Sequence, residues 1–518
     1  MKTTSLFWLI LLFAALLRYN SPIQAEEKII VPDGLEHAIG GLELLDGKIP
    51  LLKMEDGVYP LRYFLGCSLL TVPFYALFGK EIGNAVYATL FFSLLSLVLL
   101  YLISKKLFGL TAAFFSLTVM TISPLHRDLS IRINSDVPFL VFVLLATLYY
   151  LEGKMSSWYG FLLGNLIGFS IWIRYQGLIL IPSFILIFFM DQKKTVLEKA
   201  KCIGGFLLSV GLWLIPMGLY HHFLFGSVFR TGYGFWRPSR WAHLEKSFSW
   251  KYAFVKPALF GEEGNAVHYL KLMLGWNPSI FKQAYPFLVF IFFIWAALRI
   301  KRRGLPLQQK FLLFSIILIG AFFLGSSVLF APQERYLIVP LFLIVIFSGE
   351  GARLLLQKVG KDGNFFLGTL AFFYILYITS PFLSFYWVRR PRPTRELVYL
   401  LNGIDEKRSI ITGLNPVSFE YYVGSRGTFH YLPISQRIQY LNSELSSPGQ
   451  EKYPFQHLNP IPEGYLRRIQ KGEVLYLESY FSPRYKTEYR VLWHYCHVQR
   501  DQKEGSVSLY RLSKFEGM

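Results

Sequence analysis

The sequence predicts an α-helical polytopic membrane protein with about eleven transmembrane helices and a small α/β-type domain at its C-terminal end. Three observations carry this reading: the composition, a series of long apolar segments, and a change of pattern near residue 388. Hydrophobic residues make up 53% of the 518, aromatic residues 18% and charged residues only 17%. An ordinary soluble domain carries roughly 25% charged residues, and it could not cover so much apolar surface. The net charge of +20 would by itself admit a nucleic-acid partner. The basic residues lie between apolar runs rather than in one patch, so they read as topology signals and no nucleic-acid partner is expected. Cys67, Cys202 and Cys496 are too far apart for a CxxC metal motif and cannot all pair within one chain, so cysteine chemistry is not expected.

Segments of about 20 apolar residues can span a bilayer because a helix pairs its own backbone polar groups. Candidate spans fall at 5–19, 83–104, 109–124, 136–151, 158–173, 175–190, 202–220, 284–299, 311–330, 336–349 and 365–387. Only Arg174 separates the fifth from the sixth, which therefore read as two tilted short helices or one kinked unit. The first segment also has the outline of a cleavable secretory signal. Arg18, directly after its apolar stretch, favours a retained helix.

Orientation follows from lysine and arginine. With the N-terminus cytoplasmic, the inner loops collect Lys105, Lys106, Lys154, Lys193, Lys194, Lys301, Arg302, Arg303 and Lys358, whereas the short outer loops hold Arg127, Arg132, Arg174 and Arg335. This bias predicts an integral protein of the cell (inner) membrane with the odd-numbered end of the span series, and so the tail, extracytoplasmic. The membrane part is expected over 1–387, with extracytoplasmic loops at 20–82 and 221–283, and the soluble domain over 388–518.

The loop at 20–82 holds Leu35, Ala38, Ile39, Leu42 and Leu45 at helical spacing, and a second apolar run from Tyr59 to Phe78 interrupted by Pro73. Both read as helices lying along the membrane surface, the second with the alternative of a further span. The loop at 221–283 mixes Arg230, Tyr233, Trp236, Arg237, Arg240 and Trp241, a composition suited to the headgroup region. The tail has short strand-like runs at 409–412 and 473–477 between Gly, Pro and Asn, and no internal repeat is visible.

Carboxylates at the ends of membrane helices are expensive, so they are functional candidates. Asp33, in Val31-Pro32-Asp33-Gly34-Leu35-Glu36-His37, lies after the first segment, and Asp136, in Asn134-Ser135-Asp136-Val137-Pro138, opens a later one. Each also has a structural reading. Pro-Asp-Gly is a turn and Asp33 with Glu36 matches a capping box, while Ser135 or Asp136 would cap a helix with Pro138 in its first turn. The outer-loop arginines read as snorkelling or as partners of Asp128 and Glu334. If they converge beside the two acids they suit a phosphate, because guanidinium matches phosphate oxygens bidentately. His221 with His222, and His494 with His497, lack the accompanying ligands of a metal site.

Several short motifs occur in series: Asp33 after the first helix, Tyr59-Pro60-Leu61, Phe78-Gly79, Leu107-Phe108-Gly109, Ser123-Pro124, Ser135-Asp136-Val137-Pro138, Arg174-Tyr175-Gln176-Gly177, and Glu334-Arg335-Tyr336 with Pro340. This order resembles the GT-C superfamily of membrane glycosyltransferases, of the protein O-mannosyltransferase and aminoarabinose transferase kind, over about residues 5–390. The resemblance implies a polyprenyl-phosphate or dolichyl-phosphate sugar donor, an acceptor hydroxyl on a glycan, lipid or protein, and inversion at the anomeric carbon on the outer face. It implies Asp33 as catalytic base and Asp136 as the second acid. Arg335, Arg174, Arg132, Glu36, His37 and Tyr59 are the candidate substrate contacts. Members of the family often carry an acid pair where this sequence has Asp33-Gly34. No cofactor is required by the sequence; a divalent metal has candidate ligands in Glu55 and Asp56. The competing readings are a transporter or flippase of a charged lipid or solute, which would show two related halves with charges near mid-membrane, and a scaffold, for which so many spans are excessive.

Overall fold

The computed structural model describes residues 3–25, 32–54, 57–153, 156–190, 195–229, 231–232, 334–357, 408–412, 429–433, 473–478, 497–504 and 507–513, with scattered residues between. The expected spans at 284–299, 311–330 and 365–387 lie almost wholly outside the described residues, as do Glu55 and Asp56.

Helix α1 (Thr3–Ala25) covers the first apolar segment, and α2 (Pro32–Leu45) follows it. A hairpin of β1 (Leu51–Met54) and β2 (Gly57–Pro60) then leads into α3 (Gly66–Phe78). In the hairpin Leu51 pairs with Pro60 and Leu52 with Tyr59. This small antiparallel pair, absent from the sequence reading, divides the run from Tyr59 to Phe78 so that only its second part is helical. Helices α4 (Ala85–Phe108), α5 (Leu110–Ile122), the short α6 (Pro124–Ser130), α7 (Asp136–Glu152) and α8 (Ser157–Ile173) come next. The segment expected at 175–190 starts as a 3-10 turn, Tyr175–Ile179, before α9 (Leu180–Met190), and α10 (Val196–Phe225) closes the series. A further span, Arg335–Gln357, here called α11, opens with the 3-10 turn Glu334–Leu337.

By length and hydropathy, the segments Ile82–Phe108, Val196–Phe225 and Arg335–Gln357 can each cross a bilayer unaided, and shorter apolar helices accompany them. Their packing divides them into two kinds. Helix α7 is buried on nearly every side through Val137, Phe139, Leu140, Val141, Val143 and Leu144, which places it at the centre of the bundle. Helices α1 and α10 instead leave Trp8, Leu12 and Leu16, and Leu208, Leu212, Ile215 and Phe223, exposed. Apolar rows of this kind are tolerable against lipid tails and costly against water.

Local chemistry explains the helix ends. Thr195 and Glu198 form a capping box at the start of α10: the Glu198 N–H donates to Thr195 Oγ1 at 3.3 Å and the Thr195 N–H donates to Glu198 Oε2 at 2.9 Å. The same helix stops at Gly226, whose φ is +78°. At α8, the Tyr159 N–H donates to Ser156 Oγ at 3.0 Å.

The bundle encloses a guanidinium near its first helix. Arg18 of α1 is 0% exposed. Its Nε donates to Ser93 Oγ at 3.1 Å and to Ser130 Oγ at 3.3 Å, its Nη1 to the Ala14 carbonyl at 2.9 Å, and its Nη2 to His126 Nδ1 at 2.9 Å. Because arginine only donates, His126 Nδ1 must be the bare nitrogen, and its Nε2–H donates to Ser96 Oγ at 3.0 Å. The network ties α1 to α4 and α6, so the first apolar segment is an integral part of the helix packing.

Five strands belong to the tail: β3 (Arg408–Thr412), β4 (Phe429–Pro433), β5 (Leu475–Glu478), β6 (His497–Glu504) and β7 (Val507–Ser513). Their order is β4-β3-β5-β7-β6, with β4, β3 and β5 parallel and β5, β7 and β6 antiparallel. Parallel neighbours need crossover connections, which agrees with an α/β pattern. Ile410, Leu475 and Leu512 are buried on adjacent strands.

Candidate functional site

Acids and arginines from distant parts of the chain meet at the end of the bundle where α7 and α11 begin and α8 ends. At the other end of α7, Glu152 pairs with Lys106 of α4, so this lysine and the cluster lie at opposite ends of the same helix.

Asp33 sits in the first turn of α2. Its Oδ2 accepts from Arg335 Nη1 at 3.1 Å, and its Oδ1 accepts from Arg62 Nη2 at 3.5 Å. The expected capping box does not form: Glu36 turns away from the start of α2. The Arg62 N–H donates to Glu36 Oε2 at 3.0 Å, and the Arg62 guanidinium pairs with Glu36 Oε1. Arg62, just after β2, is not among the sequence candidates, yet it links Asp33 and Glu36. Desolvation works to raise the Asp33 carboxyl, but Arg62, Arg335 and a hydrogen bond from Tyr63 outweigh it and hold the group well below the usual carboxylate range. For the fully buried Glu36, desolvation prevails over the attraction of Arg62 and pushes its carboxyl up.

Gly34 explains why no second acid follows Asp33. A Cβ at this position would run into the Ile133 carbonyl oxygen, so the backbone of α2 can lie directly on the loop that leads to Asp136. That loop is shaped by a residue the sequence reading passed over. Asn134 Oδ1 accepts from the N–H groups of Asp136 at 2.9 Å and Val137 at 3.2 Å. Asn134 thus does the capping expected of Ser135 or Asp136, since Ser135 makes no side-chain cap bond.

The Asp136 carboxylate is therefore available to Arg174, whose Nη1 pairs with Asp136 Oδ1 and lies 3.4 Å from Ser135 Oγ. Arg174 Nε also donates to Gln176 Oε1 at 2.9 Å. Asp136 Oδ2 is buried with no hydrogen-bond partner among the described residues, and the same is true of His37 Nδ1. Tyr336 joins the halves of the cluster: the Arg174 guanidinium lies 5.6 Å and that of Arg335 5.5 Å from its ring centre. His37 packs on Tyr63, ring centres 4.6 Å apart. Burial, reinforced by the nearby arginines against the pull of Asp33, pushes the His37 imidazole down to about 3, so it is neutral at physiological pH.

Of the residues chosen from the sequence, Asp33, Glu36, His37, Asp136, Arg174 and Arg335 come together. Arg132 does not: it pairs with Asp128 at 2.6 Å and half its side chain faces solvent, where an i,i+4 pair on α6 and its following turn satisfies it. Tyr59 is held in β2 opposite Leu52. The loop at 221–283 reaches the cluster at Gly232, which lies against the backbone of Arg62; from 233 nearly all of it lies outside the described residues. Among the described residues, no group of three or more His, Cys, Asp or Glu is placed to hold a metal ion.

A helical membrane bundle with acids and arginines gathered at one end and a mixed sheet in its tail agrees with the GT-C fold that the motif order implied. Residues 66–218 match the family model described as dolichyl-phosphate-mannose-protein mannosyltransferase. The fold is similar to that of ArnT from Cupriavidus metallidurans bound to undecaprenyl phosphate, with 12% identity, a TM-score of 0.58, and coverage of 97% of this chain and 98% of that one. It is also similar to the oligosaccharyltransferase AglB from Archaeoglobus fulgidus, solved with an inhibitory peptide and a dolichol-phosphate, at 12% identity and a TM-score of 0.54, covering 98% of this chain and 74% of that one. No curated protein sequence matches this chain.

Proposed function

We propose that this protein is a membrane glycosyltransferase that moves a sugar from a polyprenyl-phosphate or dolichyl-phosphate carrier to an acceptor hydroxyl, with Asp33 as general base. The observation that carries the reading is the convergence of Asp33 with Arg62, Arg335 and, through Tyr336, Arg174. The carriers named for ArnT and AglB, undecaprenyl phosphate and dolichol-phosphate, support the donor class.

In such a reaction the carrier phosphate already is a good leaving group. The protein must activate the hydroxyl and stabilise charge on the phosphate. The Asp33 carboxylate takes the hydroxyl proton as the hydroxyl oxygen bonds to the anomeric carbon from the face opposite the phosphate. The carbon–oxygen bond to the phosphate breaks, its electron pair leaves with the polyprenyl phosphate, and configuration inverts. General-base help of this kind is worth roughly 10² to 10⁴ in rate, and fixed cations facing the leaving phosphate supply a further, often larger, part. Asp33 is ionised at neutral pH, as a base must be. Asp136 keeps Arg174 aligned. No step is assigned to a metal.

The bias of lysines and arginines supports an extracytoplasmic site and tail, with the division between membrane part and tail near 387. The reading is tested by purified protein supplied with labelled polyprenyl-phosphate sugars, comparing wild type with Asp33→Asn. Turnover by wild type and a loss of about 10²-fold or more in the variant are expected. Full rate in the variant would remove Asp33 from the base role, and release of label without glycoside formation would end the transferase reading.

A further inference from the structure

The proposed chemistry makes two demands on one pair of side chains. A base must be free to take a proton, and a phosphate must find a cation, yet Asp33 and Arg335 engage each other. The other arginines are more firmly committed. Arg62 has a side chain only 7% exposed and is gripped by Glu36 through both its main chain and its guanidinium. Arg174, 11% exposed, is bound to Asp136 and braced by Gln176. The Arg335–Asp33 pair is different, with side chains 32% and 29% exposed and a contact at 3.1 Å. Partly hydrated pairs contribute little net stability, and of the ion pairs described in the cluster this one is the most open to an incoming ligand. A phosphate can replace the single Asp33 oxygen with a bidentate contact.

We infer that Arg335 is a partner-exchange residue: on donor binding it leaves Asp33 for the carrier phosphate, and that departure turns Asp33 into a competent base. This rests on the proposed transferase reading and adds an order of events to it. In the empty site Asp33 is held by Arg62, Arg335 and Tyr63 and is a weak proton acceptor. Withdrawal of Arg335 removes one of the two positive charges facing it and leaves Arg62 3.5 Å away. Activation of the acceptor is then coupled to the presence of the donor, and a lone acceptor meets an inactive carboxylate.

The test measures binding of a polyprenyl monophosphate without sugar to the full-length protein in detergent, with the matching polyprenyl alcohol as reference. Four proteins are compared: wild type, Asp33→Asn, Arg335→Gln and the double variant. Asp33→Asn should tighten phosphate binding about three- to tenfold, because Arg335 no longer has to be released. Arg335→Gln should weaken it, and in that background Asp33→Asn should bring no further gain, a non-additivity that marks direct coupling. Equal tightening by Asp33→Asn with and without Arg335 would reduce the effect to simple charge repulsion and overturn the exchange. Unchanged or weaker binding in Asp33→Asn would overturn it as well. If wild type binds the phosphate no better than the alcohol, the donor class itself fails, an outcome distinct from failure of the exchange. Should Arg335→Gln not fold, Arg335→Met, which keeps the length of the side chain and removes the charge, replaces it in the same cycle.

Discussion

Two buried guanidinium networks stand in the same bundle and use opposite chemistry. Arg18 is enclosed by serine hydroxyls, main-chain carbonyls and a bare imidazole nitrogen. The arginines around Asp33 and Asp136 are met by carboxylates and by the ring of Tyr336. Neutral acceptors fix a cation by number and direction, and they change neither charge nor partner with pH in the neutral range. Carboxylates fix it by charge, and charge can be traded for that of a ligand or neutralised by a proton. The first arrangement suits a clamp between helices; the second suits a site that reacts.

The difference can be broken by substitution. The largest effect is expected for Glu36→Ala, which leaves Arg62 charged and buried beside Asp33 alone. Breaking a buried pair from one side costs about 3 to 5 kcal/mol, so thermal unfolding in detergent should shift strongly and activity should fall with it. Arg18→Met comes next. Ser93 and Ser130 keep each other as partners, but His126 Nδ1 is stranded, which should cost about 1 to 3 kcal/mol. Folded yield and thermal midpoint should drop while the surviving folded protein keeps its kcat and KM. A changed KM in that fraction would mean that the two networks are not separate.

Gly34→Ala separates position from stability. The added methyl group meets the Ile133 carbonyl and must push α2 away from the Asp136 loop. Misplacement by about 1 Å can cost 10²-fold in rate, so kcat should fall by about that factor with a small change in unfolding temperature. Normal kcat would show that the Asp33 geometry tolerates the shift.

The smallest effect at neutral pH is that of His37, which grows only as pH falls. His37 has a folded value of about 3 against an ordinary 6.5, so between these limits the unfolded chain binds a proton that the folded one does not. Its contribution to stability is complete above about pH 6.5 and is lost progressively as pH falls toward 3. Wild type should lose thermal stability over that window, and His37→Gln should flatten the slope. Asp33, held low by its arginines, remains ionised throughout the same range and should give no acid limb there in kcat/KM.

How far the sequence could be read follows from the range of the forces involved. The spans represented among the described residues were legible because hydropathy and backbone satisfaction act within one segment. So were the amphipathic α2 and the strand-like runs of the tail. The hairpin has only the Asp56-Gly57 dipeptide as a local signal, and strands of four residues each are too short to show an alternation. Asp33, Asp136, Arg174 and Arg335 were singled out because a charge beside an apolar segment is costly. Arg62, immediately before Tyr63-Phe64-Leu65, carries the same signal, but it was submerged in an apolar run read for helicity. No local pattern distinguishes Arg132, which faces its own helix partner Asp128, from Arg174, which crosses to Asp136. That choice is made by tertiary packing alone. The same holds for Asn134, whose cap depends on how the α6–α7 turn folds back.

Tyr336 has a consequence of its own. Its ring sits between two guanidinium groups, and its backbone is bonded to that of Arg335. The two acid–arginine couples thus share one aromatic face, and a substitution that removes the ring withdraws a contact from both at once.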